Sequence, residues 1–218
     1  MNFTAYASSS QGNLYTLSDG QTNLLIECGV TYREMQRLLP MPPSEYDYCF
    51  VSHKHGDHYN SNAAYELLRR GVLTDFGEHV SGALIDSISV DSFPVPHDIT
   101  NYGFMFRSRR DGETCVFMID CFYSPVRFDF SPTLFCIEAN YSKDLMKPGD
   151  SLNDRLFTSH MELQQCIATI KANDLSKTRE IHLLHLSDDR SDESRFIDAV
   201  QQATGIPVFA APKWAGRK

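Results

Sequence analysis

The feature that most constrains this chain is a run of six residues, His53-Lys54-His55-Gly56-Asp57-His58. It follows directly on Cys49-Phe50-Val51-Ser52, an apolar run that reads as a strand. Side chains two apart on extended backbone point the same way, so His53 and His55 can grip one cation. Gly56 permits a sharp turn. Asp57 and His58 then stand at the head of the next helix and face a second cation. A polar surface loop is the plain alternative, because His and Asp are common there. Three of the chain's eight histidines in so short a span point instead to two half-built metal sites side by side.

The missing ligands must come from elsewhere. His97 follows the apolar run that ends Phe93-Pro94-Val95. Asp120 follows Cys115 to Ile119, and His185 follows Ile181 to Leu184. Each is a lone ligand-type residue where an apolar run ends, and loops at strand ends rest on a rigid base while leaving side chains free for chemistry. Singly, each has a bland reading as a hydrogen-bonded histidine or a turn-capping aspartate. Together with the motif they complete a dinuclear centre. His53, His55 and His97 hold the first metal, Asp57, His58 and His185 the second, and Asp120 bridges both. Imidazole and carboxylate ligands suit two divalent ions, Zn²⁺ first, with Mn²⁺ or Fe²⁺ as alternatives. Such a pair, about 3.5–4 Å apart, lowers the pKa of a shared water and clamps a substrate oxygen. No thiolate is needed, so Cys121 beside Asp120 reads as packing.

Composition bounds the rest. With 218 residues, 42% hydrophobic and 22% charged, the chain reads as one domain over 1–218 with a sizeable core. No stretch approaches the roughly 18 apolar residues of a membrane span. Met1 to Gly20 is polar, without the basic start and apolar block of a signal peptide. The six cysteines form no C-x-x-C pair. The expectation is a cytoplasmic, reducing location with no membrane partner. A net charge of -8 excludes holding nucleic acid by bulk charge alone. A metal centre can still dominate locally.

Strand signals cover Leu24 to Cys28, Tyr48 to Ser52, an alternating stretch Ala83 to Val95, Thr133 to Ile137, Glu180 to Leu184 and Val208 to Ala211. Gly103 to Ser108 and Cys115 to Ile119 flank Arg109-Arg110-Asp111-Gly112, a hairpin signal. Helices are expected at Thr31 to Leu39, opened by Thr31-x-x-Glu34, and at Asn62 to Arg70. Two more are expected at His160 to Ala172, opened by Ser159-x-x-Glu162, and at Ser191 to Ala203. Strands in clusters and hairpins favour a two-sheet sandwich covered by helices over a doubly wound sheet.

The motif and its three distant ligands resemble the metallo-β-lactamase superfamily, with its H-x-H-x-D-H signature followed by His, Asp and His. The resemblance implies an α/β protein, a four-layer αββα sandwich with the dinuclear site along one edge. Within the superfamily the chain is similar to the YycJ-like (WalJ-like) hydrolases, relatives of ribonuclease Z and ribonuclease J. Ser8-Ser9-Ser10-Gln11-Gly12-Asn13 looks like their N-terminal turn, and Glu27-Cys28-Gly29 stands where they carry Asp-x-Gly. Pro96-His97-Asp98, Ile137-Glu138-Ala139-Asn140-Tyr141, Arg155 to His160 and His185-Leu186-Ser187 match further segments. Ser-His-Met-Glu replaces Gly-His-Leu-Ser around His160, and the short interval from Asp120 to His185 leaves no room for an inserted substrate-recognition domain.

The resemblance implies phosphodiester hydrolysis on DNA or RNA ends, by attack of a metal-bridging hydroxide on phosphorus. Asp57 and His160 are then the catalytic candidates. His160 is expected to contact the scissile phosphate or protonate the leaving oxygen, from a helix N-terminus that favours an anion. Glu138 and Asn140 either orient a ligand histidine or make a turn. The partner is nucleic acid or a phosphodiester small molecule, and a homo-oligomer is common among such hydrolases. Two other functions compete. One is hydrolysis of a small cyclic nucleotide, cyclic phosphate, lactone or thioester, which the acidic balance and the acidic loop Asp188 to Asp192 favour. The other is a non-catalytic metal-dependent binding module, against which a full ligand set with a bridging aspartate argues. Arg107, Arg109 and Arg110, and Lys213, Arg217 and Lys218, read as solvated charge before they read as a nucleic-acid track. His182 reads as packed and His79 as surface.

Overall fold

The computed structural model of the chain describes residues 1–74, 77–146 and 153–214. Two sheets face each other. The first has five strands in sequence order, β1 (Asn2–Ser9), β2 (Gly12–Ser18), β3 (Asn23–Ile26), β4 (Tyr48–Phe50) and β5 (Leu73–Thr74). Between them run α1 (Tyr32–Leu38) and α2 (Ser61–Arg69). The second sheet has seven strands: β6 (Ala83–Ile85), β7 (Ile88–Val95), β8 (Asn101–Ser108), β9 (Thr114–Met118), β10 (Leu134–Glu138), β11 (Glu180–Leu184) and β12 (Val208–Ala210). Helices α3 (Asn153–Ser159) and α4 (Leu163–Lys171) lie between β10 and β11, and α5 (Glu193–Thr204) between β11 and β12.

Side-chain alternation builds the layers. Leu24 and Ile26 of β3 pack with Phe104, Phe106 and Phe117 across the gap between the sheets. Leu25, one residue out of phase, joins Met35 of α1 and Ala63 and Leu67 of α2 on the opposite face. In β9, Phe117 enters the middle layer, while Val116 and Met118 meet Ile170 of α4 and Phe196 of α5. The result is the expected four-layer αββα sandwich. Full burial of each such Phe or Leu favours the fold by roughly 1.5–3 kcal/mol over exposure.

The parallel part of the second sheet positions the chemistry. Strand β10 pairs in parallel with β9 (Leu134↔Cys115) and with β11 (Leu134↔Glu180). That register aligns three carboxyl ends, so Asp120, Glu138 to Asn140 and His185 emerge at one edge of the sandwich.

Two expectations change, and one hairpin appears where no strand signal is read. The polar N-terminal segment forms the β1–β2 hairpin, whose turn is Ser9 to Gly12; small and hydroxyl side chains dilute its hydrophobic signal. The stretch Ala83 to Val95 is two strands, because Asp86, at φ +46°, turns the chain back between β6 and β7. The helix expected over His160 to Ala172 is split. Helix α3 ends at Ser159, and α4 starts only after Glu162, whose side chain accepts the backbone N–H of Gln164 at 2.8 Å. The segment between is held beside β10: Asn140 N–H donates to the Met161 carbonyl at 2.9 Å and Leu163 N–H to the Tyr141 carbonyl at 2.8 Å. His160 therefore sits at the C-terminal end of α3, its N–H donating to Leu156, and not at a helix N-terminus. The capping expected of Thr31 is present, at 3.2 Å to Glu34 N–H.

Candidate metal centre

The six-residue motif leaves β4 and closes in a turn in which His58 and Tyr59 N–H both donate to the His55 carbonyl, at 3.0 and 2.8 Å. Helix α2 begins three residues later, capped by Asn60, so Asp57 and His58 lie in the turn and not in the helix. The loop rests on β2 and on the bend after β3. Asn13 N–H donates to the Asp57 carbonyl at 2.8 Å, and Cys28 N–H to the His58 carbonyl at 2.9 Å. Three residues that follow strands, Glu27, Asp120 and His185, adopt φ of 66°, 51° and 54°. These left-handed backbones, unusual outside glycine, turn Asp120 and His185 into the cleft and Glu27 against His58 behind it, at some cost in strain.

The structure brings all seven ligand candidates together, in two groups that share Asp120. His53, His55, His97 and Asp120 form one, and Asp57, His58, Asp120 and His185 the other. In the first, His55 Nδ1 lies 3.1 Å from His53 Nε2 and 3.2 Å from His97 Nε2. Asp120 Oδ2 is 3.7 Å from His53 Nε2 and 3.9 Å from His97 Nε2. In the second, His58 Nε2 is 3.2 Å from Asp120 Oδ2 and 3.3 Å from Asp57 Oδ2, with His185 Nε2 3.6 Å from Asp57. Zn–N bonds of about 2.0–2.1 Å in a tetrahedron set ligand atoms about 3.3 Å apart, so these are spacings a single ion can span. Imidazole nitrogens that face each other at this range repel unless a proton or a cation lies between them.

Buried polar atoms provide a second test of fit. His185 Nε2 and Asp120 Oδ1 are fully enclosed and have no hydrogen-bond partner among the described residues. An orphaned buried acceptor is costly, and a cation in the cluster would satisfy both. The donor set of imidazoles and carboxylates, with no thiol, suits the divalent ions expected from the sequence.

A surrounding shell lies against the rings of His53, His58, His97, His160 and His185. His97 Nδ1 donates to the Ser159 carbonyl at 3.0 Å, which leaves Nε2 facing the cluster. His53 Nδ1 meets Ser52 Oγ at 2.9 Å. The buried Glu27 carboxylate lies 3.5 Å from His58 Nδ1 and accepts the Ser52 N–H at 3.3 Å. Asn140 Nδ2 contacts His185 Nδ1 at 3.1 Å and donates to the His185 carbonyl at 2.7 Å, while His185 N–H donates to Ser8 Oγ at 2.8 Å. Glu138 bonds His160 Nδ1 at 2.6 Å and lies 3.4 Å from His185 Nδ1. His160 stacks on His185, ring centres 5.3 Å apart, and its Nδ1 is 3.7 Å from Asp120.

The electrostatics follow from burying acids and imidazoles together. Burial, with His58 beside it, drives the His53 pKa down to about 2. Burial works against charge on His185 as well, but Asp120, Asp57 and Glu138 push its pKa up to about 10. Burial pulls His160 down too, yet Glu138 and Asp120 leave it raised. Burial would raise Asp57, yet His185 and His58 hold it below the carboxylate range. For Glu27, burial wins over His58 and the pKa is raised.

A cleft of about 520 Å³ opens over the cluster, lined by His55, Asp57, His97, Asp120, His160 and His185, with Ser187 to Arg190 on its rim. Sequence reasoning missed Asp98 as a participant, although it adjoins His97; its Oδ1 lies 3.0 Å from His97 Nε2 and 3.4 Å from His55 Nε2. Tyr15 was also missed, since nothing in sequence marks its bonds to Ser8 Oγ (2.7 Å) and Asn13 Oδ1 (2.9 Å). Cys121 is buried as packing, and all six cysteines are free and buried. His182 packs between Phe3 and Phe209, and the exposed His79 bonds Ser92 Oγ at 3.0 Å. Arg107 to Arg110 lie at the turn end of the β8–β9 hairpin, opposite the end that carries Asp120. Lys213 Nζ donates to the Ser187 carbonyl at 2.8 Å, and Arg217 and Lys218 fall outside the described residues. No helix among the described residues is long and apolar enough to cross a membrane.

No protein-family model matches the sequence. Exodeoxyribonuclease WalJ of Streptococcus pneumoniae is 21% identical, over 87% of this chain and 82% of its own length. Among solved structures, the metallo-β-lactamase fold protein YhfI from Bacillus subtilis superposes with a TM-score of 0.72 at 15% identity, over 97% of this chain and 96% of that one. Human tRNase Z, short form, gives a TM-score of 0.65 at 15% identity, over 98% and 97%. The architecture of this chain is the metallo-β-lactamase fold.

Proposed function

We propose that this chain is a metal-dependent phosphodiesterase that cleaves DNA or RNA near an end. The observation that carries the reading is a pair of ligand groups sharing Asp120, with the buried Asp120 Oδ1 and His185 Nε2 making no hydrogen bond among the described residues. His53, His55 and His97 would hold one divalent ion, Asp57, His58 and His185 the other, and Asp120 both, with Zn²⁺ the first choice. Bound there, the ions supply an activated water and positive charge for the phosphoryl oxygens. WalJ and tRNase Z bear the names of nucleases, and their likeness supports a phosphodiester substrate.

The chain's own residues do the remainder. Glu27, Ser52, Asn140 and the Ser159 carbonyl hold the ligand rings in fixed orientation, so the site is organised before substrate arrives. Asp57, in the turn, both completes the second group and faces the cleft. His160 would contact the scissile phosphate or protonate the leaving oxygen. Its Nδ1 is tied to Glu138, which leaves Nε2 for substrate.

The deciding experiment combines metal analysis with a substrate panel. Protein loaded with Zn²⁺ or Mn²⁺ should carry about two ions per chain and cleave bis-p-nitrophenyl phosphate and end-labelled DNA or RNA. Asp120→Ala should lose both metal and activity. Full activity in that variant would remove the site assignment, and loaded protein inert on every phosphodiester would remove the function. One observation favours a second reading, hydrolysis of a small cyclic or carbonyl substrate: the cleft rim carries Asp188 and Asp189, which oppose a long polyanion. Turnover confined to cyclic nucleotides, lactones or thioesters would select it.

A further inference from the structure

A second cavity, of about 620 Å³, adjoins the first, and His160 lines both. Its other walls are of four chemical kinds, one of them the carboxylate of Glu162, which also accepts the Gln164 N–H at 2.8 Å. Phe122, Tyr141 and Phe157 are aromatic, Gln164 and Gln165 carry amides, and Lys143 brings an ammonium group. Phe157 meets Tyr141 edge to face, ring centres 5.9 Å apart and planes at 61°, and keeps 43% of its surface exposed. Of the chain's exposed large apolar side chains, Phe157 is the one that lines a cavity shared with His160. Aromatic faces accept flat heterocycles by stacking, amides match their polar edges, and ammonium meets phosphate.

On this basis we infer that the cavity beyond His160 is a nucleobase subsite, in which the base next to the scissile phosphate stacks on Phe157. The inference rests on the phosphodiesterase reading above and adds the part of the substrate that reading leaves open. A phosphate over the metal cluster and the base of the same nucleotide in the second cavity would lie on either side of His160. An aliphatic substrate would leave the amide and ammonium walls unmatched.

The test uses metal-loaded protein and two pairs of probes. Thymidine 5′-monophosphate and deoxyribose 5-phosphate are compared by isothermal titration. The p-nitrophenyl ester of thymidine 5′-monophosphate and methyl p-nitrophenyl phosphate are compared as substrates. The nucleotide should bind about tenfold more tightly than the sugar phosphate, and the nucleoside ester should show a kcat/KM advantage of similar size. Phe157→Leu, which keeps apolar bulk but removes the aromatic face, should erase both differences while leaving the base-free probes within about twofold of wild type. Equal binding of nucleotide and sugar phosphate, or differences that survive in F157L, would overturn the subsite. Failure to hydrolyse either ester would sink the phosphodiesterase reading, and the titration would still decide whether a base is recognised.

Discussion

The Glu138 carboxylate holds His160 from two directions: one oxygen bonds the ring Nδ1 at 2.6 Å, and the other accepts the next residue's backbone N–H, Met161, at 3.1 Å. Ring and main chain are clamped by one buried side chain, which also accepts the Cys121 N–H at 3.0 Å beside Asp120. Glu138 thus ties His160 to the segment of Asp120 across three stretches of chain. If His160 delivers a proton to the leaving oxygen, the demand depends on the leaving group. His160→Ala should lower kcat about 100-fold on a dinucleotide, whose alkoxide needs that proton. It should have little effect on a p-nitrophenyl ester, whose phenolate departs without one. Metal content should not change. Equal losses on both substrates would assign His160 another role.

Glu27 acts one step further out. Its carboxylate is fully buried against His58 Nδ1, at 3.5 Å, and reaches nothing in the cleft directly. Glu27→Ala should weaken metal binding by about 10- to 100-fold, measured by competition with a chelator, and Glu27→Gln by less. Unaltered affinity in both variants would mean that His58 is oriented by the fold alone.

Gly29 is where the motif loop touches its support. A Cβ there would stand 1.6 Å from the Asp57 carbonyl oxygen and 2.8 Å from His58 N, both backbone atoms that cannot swing away. Gly29→Ala should destabilise the fold by about 3 kcal/mol and reduce the metal bound at the Asp57–His58 group. A urea midpoint and metal content equal to wild type would show that the loop can shift freely.

Asp19 gives the fold an acid-sensitive tie. Its carboxylate accepts from Thr22 N–H (2.9 Å), Ser87 Oγ (2.6 Å) and Ser108 Oγ (3.0 Å), joining the two sheets. Burial would raise its pKa, but these bonds lower it from 3.8 to about 2. A depressed pKa contributes stability that is fully present above the unfolded value and is lost as pH falls through the folded one. Asp19→Asn should therefore cost on the order of 2 kcal/mol at neutral pH. The gap to wild type should shrink between about pH 4 and pH 2. A gap that stays constant over that window in urea titrations would contradict the account.

How much of this was legible in the sequence depended on distance along the chain. The motif from His53 to His58 fixes its own local geometry, and the Thr31 cap and the β8–β9 hairpin are local in the same way. The apolar runs before His97, Asp120 and His185 marked strand ends, because alternation and length are written residue by residue. The hairpin β1–β2 escaped because small and hydroxyl residues interrupt its few large apolar ones, Phe3, Leu14 and Leu17. His160 was misplaced because Ser159-x-x-Glu162 has the form of a helix start, while contacts with Glu138, Asn140 and Tyr141 hold that segment extended.

The sequence by itself determined the kinds of ligand, their positions at strand ends and the alternation that makes two sheets. Only the tertiary structure decided which atoms meet. The parallel register of β9, β10 and β11 carries Asp120, Glu138 and His185 to one edge, and packing of the other sheet brings the motif loop against them. The physical reason is that hydrogen-bond register and burial across the sandwich are set by residues far apart in the chain. No local pattern encodes the few ångströms between Glu27 and His58, or between Glu138 and His160.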